Sequence, residues 1–110
     1  MSSVLDVTDD SFERDVLKSS LPALVHFRAR WCGPSRNVAS VLDEIAKEYA
    51  GRVRIYYLDF DENPIIPREY DIRNIPAVVL FKNGVDVETI VGSAPKSNYV
   101  NSLTKHLEPH

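Results

Sequence analysis

Three short apolar runs constrain this chain more than anything else in it: ALVHFR at residues 23–28, VRIYYLDF at 53–60 and AVVLFK at 77–82. Each is rich in β-branched and aromatic residues and too short for a core helix, so each reads as a strand. The first and third are apolar at nearly every position, which marks strands covered on both faces. Covering both faces takes helices, and the sequence between the runs supplies them. Pro34 to Tyr49 keeps Val38, Val41, Leu42, Ile45 and Tyr49 at helical spacing, with Gly51 expected at C′. Asp9 and Asp10 offer N-cap oxygens to a first helix carrying Phe12, Val16 and Leu17, which Leu21-Pro22 ends. Asn63-Pro64 reads as an N-cap with proline at the first helical position, opening a short helix to Tyr70. Pro95 starts a last helix with Val100, Leu103 and Leu107 on one face. Val4–Val7 makes a short first strand. Asn83-Gly84 suits a tight turn from Lys82 into a strand over Asp86–Val91. The order is β-α-β-α-β-α-β-β-α, which predicts an α/β domain over residues 1–110. Its mixed sheet has a parallel half and an antiparallel edge, with helices on both faces.

Composition narrows the function. A net charge of −3 gives no footprint for nucleic acid. No apolar run approaches the roughly 20 residues of a membrane span, and MSSVLDVTDD lacks the basic and apolar regions of a signal peptide. The single cysteine, Cys32, allows no internal disulfide and suggests a reducing compartment. The cytoplasm is the default expectation, and an organellar protein freed of its transit segment would look the same. His26, His106 and His110 do not converge on a metal site. The acidic stretch DFDENP at 59–64 lacks the spacing of a calcium loop and reads as a strand-end turn with a helix cap. No metal and no cofactor are expected.

Cys32 falls where the strand ALVHFR gives way to the longest helix. Helix N-termini present unpaired N–H groups and partial positive charge, a setting that favours the nucleophilic thiolate. Pro34 fits a first helical turn, where no N–H is needed. Arg28, Arg30 and Arg36 add positive charge nearby, and Trp31 offers an apolar contact surface. The alternative, a cysteine serving as a small buried hydrophobe, sits poorly with these polar flanks and the turn-forming Gly33-Pro34.

These residues carry a resemblance. WCGPS at 31–35 resembles the WCGPC active site of thioredoxins with its last cysteine changed to serine. LVHF, LDEIAKEY, DIRNIPAVVLFKNG and Val91-Gly92 follow the family's order, so the likeness covers nearly the whole chain. The resemblance implies a thioredoxin fold and thiol–disulfide exchange on disulfide-containing proteins, with Cys32 as nucleophile. It implies a cis-proline at Pro76, and a substrate surface formed by Trp31, Gly33, Pro34, Ile75, Pro76 and Gly92. It also implies a thioredoxin reductase, flavin-based or ferredoxin-linked, as partner. A monomer is expected, with a Cys32–Cys32 dimer on oxidation.

The departures from the family are specific. Ser35 stands at the resolving cysteine, and a serine hydroxyl is a very poor nucleophile toward sulfur. His26 replaces the family's buried aspartate and Tyr57 its lysine partner, Arg28 a tryptophan, Ser40 a helix-kinking proline. Two readings of His26 stay open: a core histidine paired with Tyr57, or a replacement base tuned near physiological pH. Two readings of the function stay open as well. In one, Cys32 attacks a disulfide and remains attached until an outside thiol such as glutathione releases it. In the other, the same surface binds partners without catalysis. A cluster carrier like the Cys-Gly-Phe-Ser glutaredoxins is disfavoured, because one thiolate falls far short of four ligands.

Overall fold

A computed structural model describes residues 4–107. Its sheet has five strands: β1 (Val4–Val7), β2 (Ala23–Arg28), β3 (Arg54–Asp59), β4 (Ala77–Lys82) and β5 (Val85–Val91). They lie in the order β1-β3-β2-β4-β5. β3 runs parallel to both β1 and β2, and β4 runs antiparallel to β2 and β5. The apolar run of β2 thus fills the middle of the sheet, as expected of a strand buried on both faces. The helices are α1 (Gly33–Glu48), α2 (Ile65–Glu69) and α3 (Lys96–His106), and a π-helical turn spans Glu13–Leu17.

The two faces of the sheet hold separate cores. Ala23, Val25 and Phe27 of β2 face Phe12, Val16, Ile66 and Phe81 on the side of the π-helical turn and α2. Phe12 and Tyr70 each set an edge against Phe81, at centroid separations of 5.3 and 5.1 Å, a favoured aromatic geometry. Leu24, one residue out of phase, faces Val38, Leu42 and Ile45 of α1 and Tyr99 and Leu103 of α3. The strand period of two sorts neighbours to opposite cores.

Several boundaries differ from the sequence reading, and the cause is distant pairing. Asp9 does not cap the first helical element, whose N-cap is Phe12. Its carboxylate instead accepts the backbone N–H groups of Ile65 and Ile66 at 3.1 and 2.9 Å, opening α2 from 56 residues away. Asn63 likewise caps no helix; the N-cap of α2 is Pro64. The Asn63 amide oxygen accepts the Asp9 N–H, and its nitrogen donates to the Asp59 carbonyl. On α3 it is Tyr99, with Ser102 and Leu103, that is buried, while Val100 is half-exposed. Tyr99 turns inward, into the cluster that holds Val38, Leu42 and Ile45 of α1. Gly51 adopts φ 83° two residues beyond the C-cap Tyr49, one position later than expected. At the hairpin Asn83 and Gly84 both take positive φ, 54° and 79°, as a primed two-residue turn requires. β5 begins at Val85, and a register shift between Leu80 and Phe81 bends its pairing with β4.

Candidate active site

The site lies at the C-terminal end of β2, at the centre of the sheet, where open α/β sheets place their ligands. After Arg28 the chain makes one turn, closed by the Cys32 N–H donating to the Ala29 carbonyl at 3.1 Å. Cys32 itself is the N-cap of α1, in extended conformation, with Gly33 and Pro34 as the first helical residues. Pro34 therefore occupies a position whose missing N–H leaves no bond unmade. Contrary to what its polar flanks suggested, Cys32 is buried, with 7 % of the residue exposed, because the turn from Ala29 folds it under the Ile75 loop. Its Sγ–H faces the Ile75 carbonyl at 3.9 Å, and a cis peptide joins Ile75 to Pro76. The Pro76 carbonyl accepts the Gly92 N–H at 2.7 Å. This ties the loop after β5 to the loop before β4, so Cys32, Ile75, Pro76 and Gly92 form one patch.

Around that patch, Trp31 is 68 % exposed, yet it is not loose. Its indole N–H donates to Asp61 Oδ2 at 2.8 Å. Asp61 is held in turn, because Asp59 Oδ1 accepts the N–H groups of both Asp61 and Glu62. Asp61 was not singled out from sequence; the only signal was the acidic turn DFDENP, whose partner lies 30 residues away. Gly33 and Pro34 are exposed. A Cβ on Gly33 or Gly92 would meet nothing within 4 Å, so the space directly beside these two residues is unfilled.

Ser35 and His26 lie deeper. Ser35 is 1 % exposed, on the same buried face of α1 as Val38 and Leu42. Its Oγ has no hydrogen-bond partner among the described residues. His26 is fully buried, and neither ring nitrogen has a partner among them. The expected pairing with Tyr57 takes the form of a ring contact, edge-on at 5.5 Å, not a hydrogen bond. The Tyr57 hydroxyl donates instead to Asp43 of α1 at 3.3 Å, and the Arg28 guanidinium lies 4.6 Å from the Tyr57 ring centre. Burial, then the nearby Arg28 charge, lower the His26 pKa to about 3. His26 is thus a neutral imidazole at physiological pH, not a base tuned within that range. Burial and the Asp43 carboxylate push Tyr57 up to about 12, so it too stays neutral. Ser40 is exposed, and α1 runs through it without interruption.

A cysteine at a helix N-terminus, beside a cis-proline loop and the exposed Trp31, Gly33 and Pro34, is an arrangement suited to thiol–disulfide exchange. The Thioredoxin family profile matches residues 3–105. Thioredoxin 1 of Synechococcus elongatus is 49% identical over 107 residues, covering 97% of this chain and all of that protein. Thioredoxin of Synechocystis is 48% identical over 107 residues, with the same coverage of both chains. The chloroplastic M-type thioredoxin of Spinacia oleracea is 47% identical over 109 residues, covering 99% of this chain and 60% of that one. The chain belongs to the thioredoxin family. Membership implies disulfide-containing substrates and a reductase as partner. Among the described residues no helix is long and apolar enough to cross a membrane.

Proposed function

We propose that this protein performs the first half of thioredoxin exchange and depends on an outside thiol for the second. The Cys32 thiolate attacks one sulfur of a partner disulfide. A Cys32–partner S–S bond forms, and the partner's other sulfur leaves with the electron pair as a thiolate. In a two-cysteine site the second sulfur would then displace the partner. Here that position carries Ser35. The complex therefore persists until an external thiolate, such as that of glutathione, attacks the mixed disulfide and frees Cys32. One observation carries this reading: Cys32 caps α1 beside the Ile75 carbonyl, while Ser35 one turn on is buried and has no sulfur to offer. The exposed rim of Trp31, Gly33 and Pro34, with Ile75, Pro76 and Gly92, holds the partner segment. A reducing compartment suits this chemistry. The reductase, flavin-based or ferredoxin-linked, belongs to the complete cycle that a second cysteine would allow.

The test compares this chain with its Ser35→Cys variant in reducing a protein disulfide under excess dithiol. We expect stable conjugates and little turnover from the chain itself, and strong turnover from the variant. Conjugates should vanish in Cys32→Ser. Partner capture undiminished by Cys32→Ser would instead favour a non-catalytic binding module, a reading that the burial of Cys32 beside a well-exposed Trp31 supports.

A further inference from the structure

Beside the patch described above runs a cleft of about 470 Å³, lined by Phe60, Pro64, Pro67, Arg68, Asp71, Ile72 and Arg73. Its lining is linked to the site at two points. Phe60 precedes Asp61, which holds the Trp31 indole, and the Phe60 N–H donates to the Arg28 carbonyl at the end of β2. Arg73 lies two residues before Ile75, whose carbonyl faces the Cys32 sulfur. The lining thus begins one residue from Asp61 on one side and two residues from Ile75 on the other, within reach of the flanks of a segment joined to Cys32.

The lining is of two kinds. Phe60, Pro64, Pro67 and Ile72 make an apolar floor, with Pro67 and Ile72 buried. The rim carries two guanidinium groups and one carboxylate. That carboxylate is already used, since Asp71 Oδ1 accepts from Arg73 Nε at 2.7 Å. Arg68 is exposed on α2 and makes no ion pair among the described residues. The cleft thus presents one uncompensated positive charge above an apolar floor, on a chain whose net charge is −3.

We propose that this cleft selects partners whose reactive cysteine is flanked by an acidic residue beside an apolar one, with Arg68 as the specificity-determining group. The apolar side chain covers the floor, and the carboxylate meets the free guanidinium, a pairing that favours the correct partner and disfavours a basic one. This inference rests on the exchange reading proposed above and names its partner class.

The experiment uses short peptides with one cysteine blocked as its 2-nitro-5-thiobenzoate disulfide. The flanks on both sides are Glu-Leu, Gln-Leu or Lys-Leu. The 2-mercaptoethanol disulfide of the same aryl thiol serves as the reference without a peptide. In each reaction the Cys32–peptide S–S bond forms, the peptide–aryl bond breaks, and the coloured aryl thiolate leaves with the electron pair. The rate constant is read from that colour. An exposed charge pair is worth about 0.2–1 kcal/mol, so Glu-Leu should outpace Lys-Leu by about 1.4- to five-fold at low salt and less at high salt. Arg68→Glu should reverse the order, Arg68→Lys should keep it, and neither should change the rate with the peptide-free probe. Equal rates for the three peptides, or a preference that survives Arg68→Glu, would overturn the proposal. No reaction even with the peptide-free probe would sink the exchange reading itself and this inference with it.

Discussion

The two faces of the sheet treat buried polarity differently. On the side of the π-helical turn and α2, Asn63 is buried and both polar atoms of its side chain are engaged, the oxygen by the Asp9 N–H and the nitrogen by the Asp59 carbonyl. Asp9 completes that network by receiving two N–H groups at the start of α2. On the α1 side, behind Cys32, His26 and Ser35 are more deeply buried and their side chains make no hydrogen bond among the described residues. A buried group left unpaired costs about 1–3 kcal/mol. The face with α2 has this polar cluster satisfied, and the buried unpaired groups among the described residues, those of His26 and Ser35 with the Tyr99 hydroxyl of α3, lie on the α1 side. His26 and Ser35 stand where the family keeps its resolving chemistry. The scaffold has kept polar side chains there without partners to satisfy them.

The largest expected effect follows from His26. Its folded pKa, about 3, lies below the unfolded value of about 6.5. Between these values the unfolded chain binds a proton that the folded chain does not. Stability is therefore fully retained above about pH 6.5 and is lost as pH falls toward 3, with a slope approaching 1.4 kcal/mol per pH unit. His26→Leu should remove that slope and, by deleting an unpaired group, should raise stability at pH 7 by about 1–3 kcal/mol. Urea melts of both proteins from pH 7.5 to 4 measure the difference. Taking the difference cancels the paired acids Asp15 and Glu88, whose pKa values are lowered in both proteins. Parallel stability curves would mean that His26 has a partner or reaches solvent, and the contrast between the faces would fail.

The satisfied face should respond in the opposite direction. Asp9→Ala strips two N–H groups of their acceptor, one of them on buried Ile66. A loss of about 1–2 kcal/mol is expected, as for a deleted helix cap, read as a lower urea midpoint at unchanged slope. Asp10→Ala, its sequence neighbour, should change stability by less than about 0.5 kcal/mol, as surface substitutions do. Equal effects at the two positions would show that the link from Asp9 to α2 contributes nothing.

This contrast also marks how far the sequence could be read. The strands, α1, α3 and the Asn83-Gly84 turn follow from local pattern, because periodicity and turn chemistry are properties of neighbours. Cys32 at the head of α1 followed in the same way, from a strand end and a proline. The cis peptide at Pro76 came only through the family likeness, since nothing in the local residues distinguishes it from an ordinary loop. What escaped were pairings across long separations. Asp9 and Asn63 each looked like the cap of the segment that followed it, and each is instead committed to a residue across the fold. Asp61 gave no sign of its bond to Trp31. Tyr57 was the natural partner for His26 on the adjacent strand, but its hydroxyl reaches α1 at Asp43 instead, and only the geometry of two packed layers decides between them.

The smallest expected effect gives the finest test of the comparison. Ser35 lies on the buried face of α1, so Ser35→Ala removes a hydroxyl and leaves the methyl carbon in place. Were that hydroxyl hydrogen-bonded, its loss would cost about 1 kcal/mol. With no partner in reach, the folded state gives up nothing, and an oxygen that water solvates in the unfolded chain no longer has to be dehydrated. Alanine also has the higher helix propensity, by a few tenths of a kcal/mol. Both terms have the same sign, so Ser35→Ala should be more stable by about 0.5–1 kcal/mol, a gain that paired urea melts resolve. Against the loss expected at Asp9, this gain gives the two faces opposite signs for the same kind of deletion. A loss at Ser35 would mean that the hydroxyl finds a partner on opening or rotating, with the Cys32 sulfur one turn before it the nearest group by helical spacing. Ser35 would then belong to the reactive site and not to the unsatisfied layer behind it.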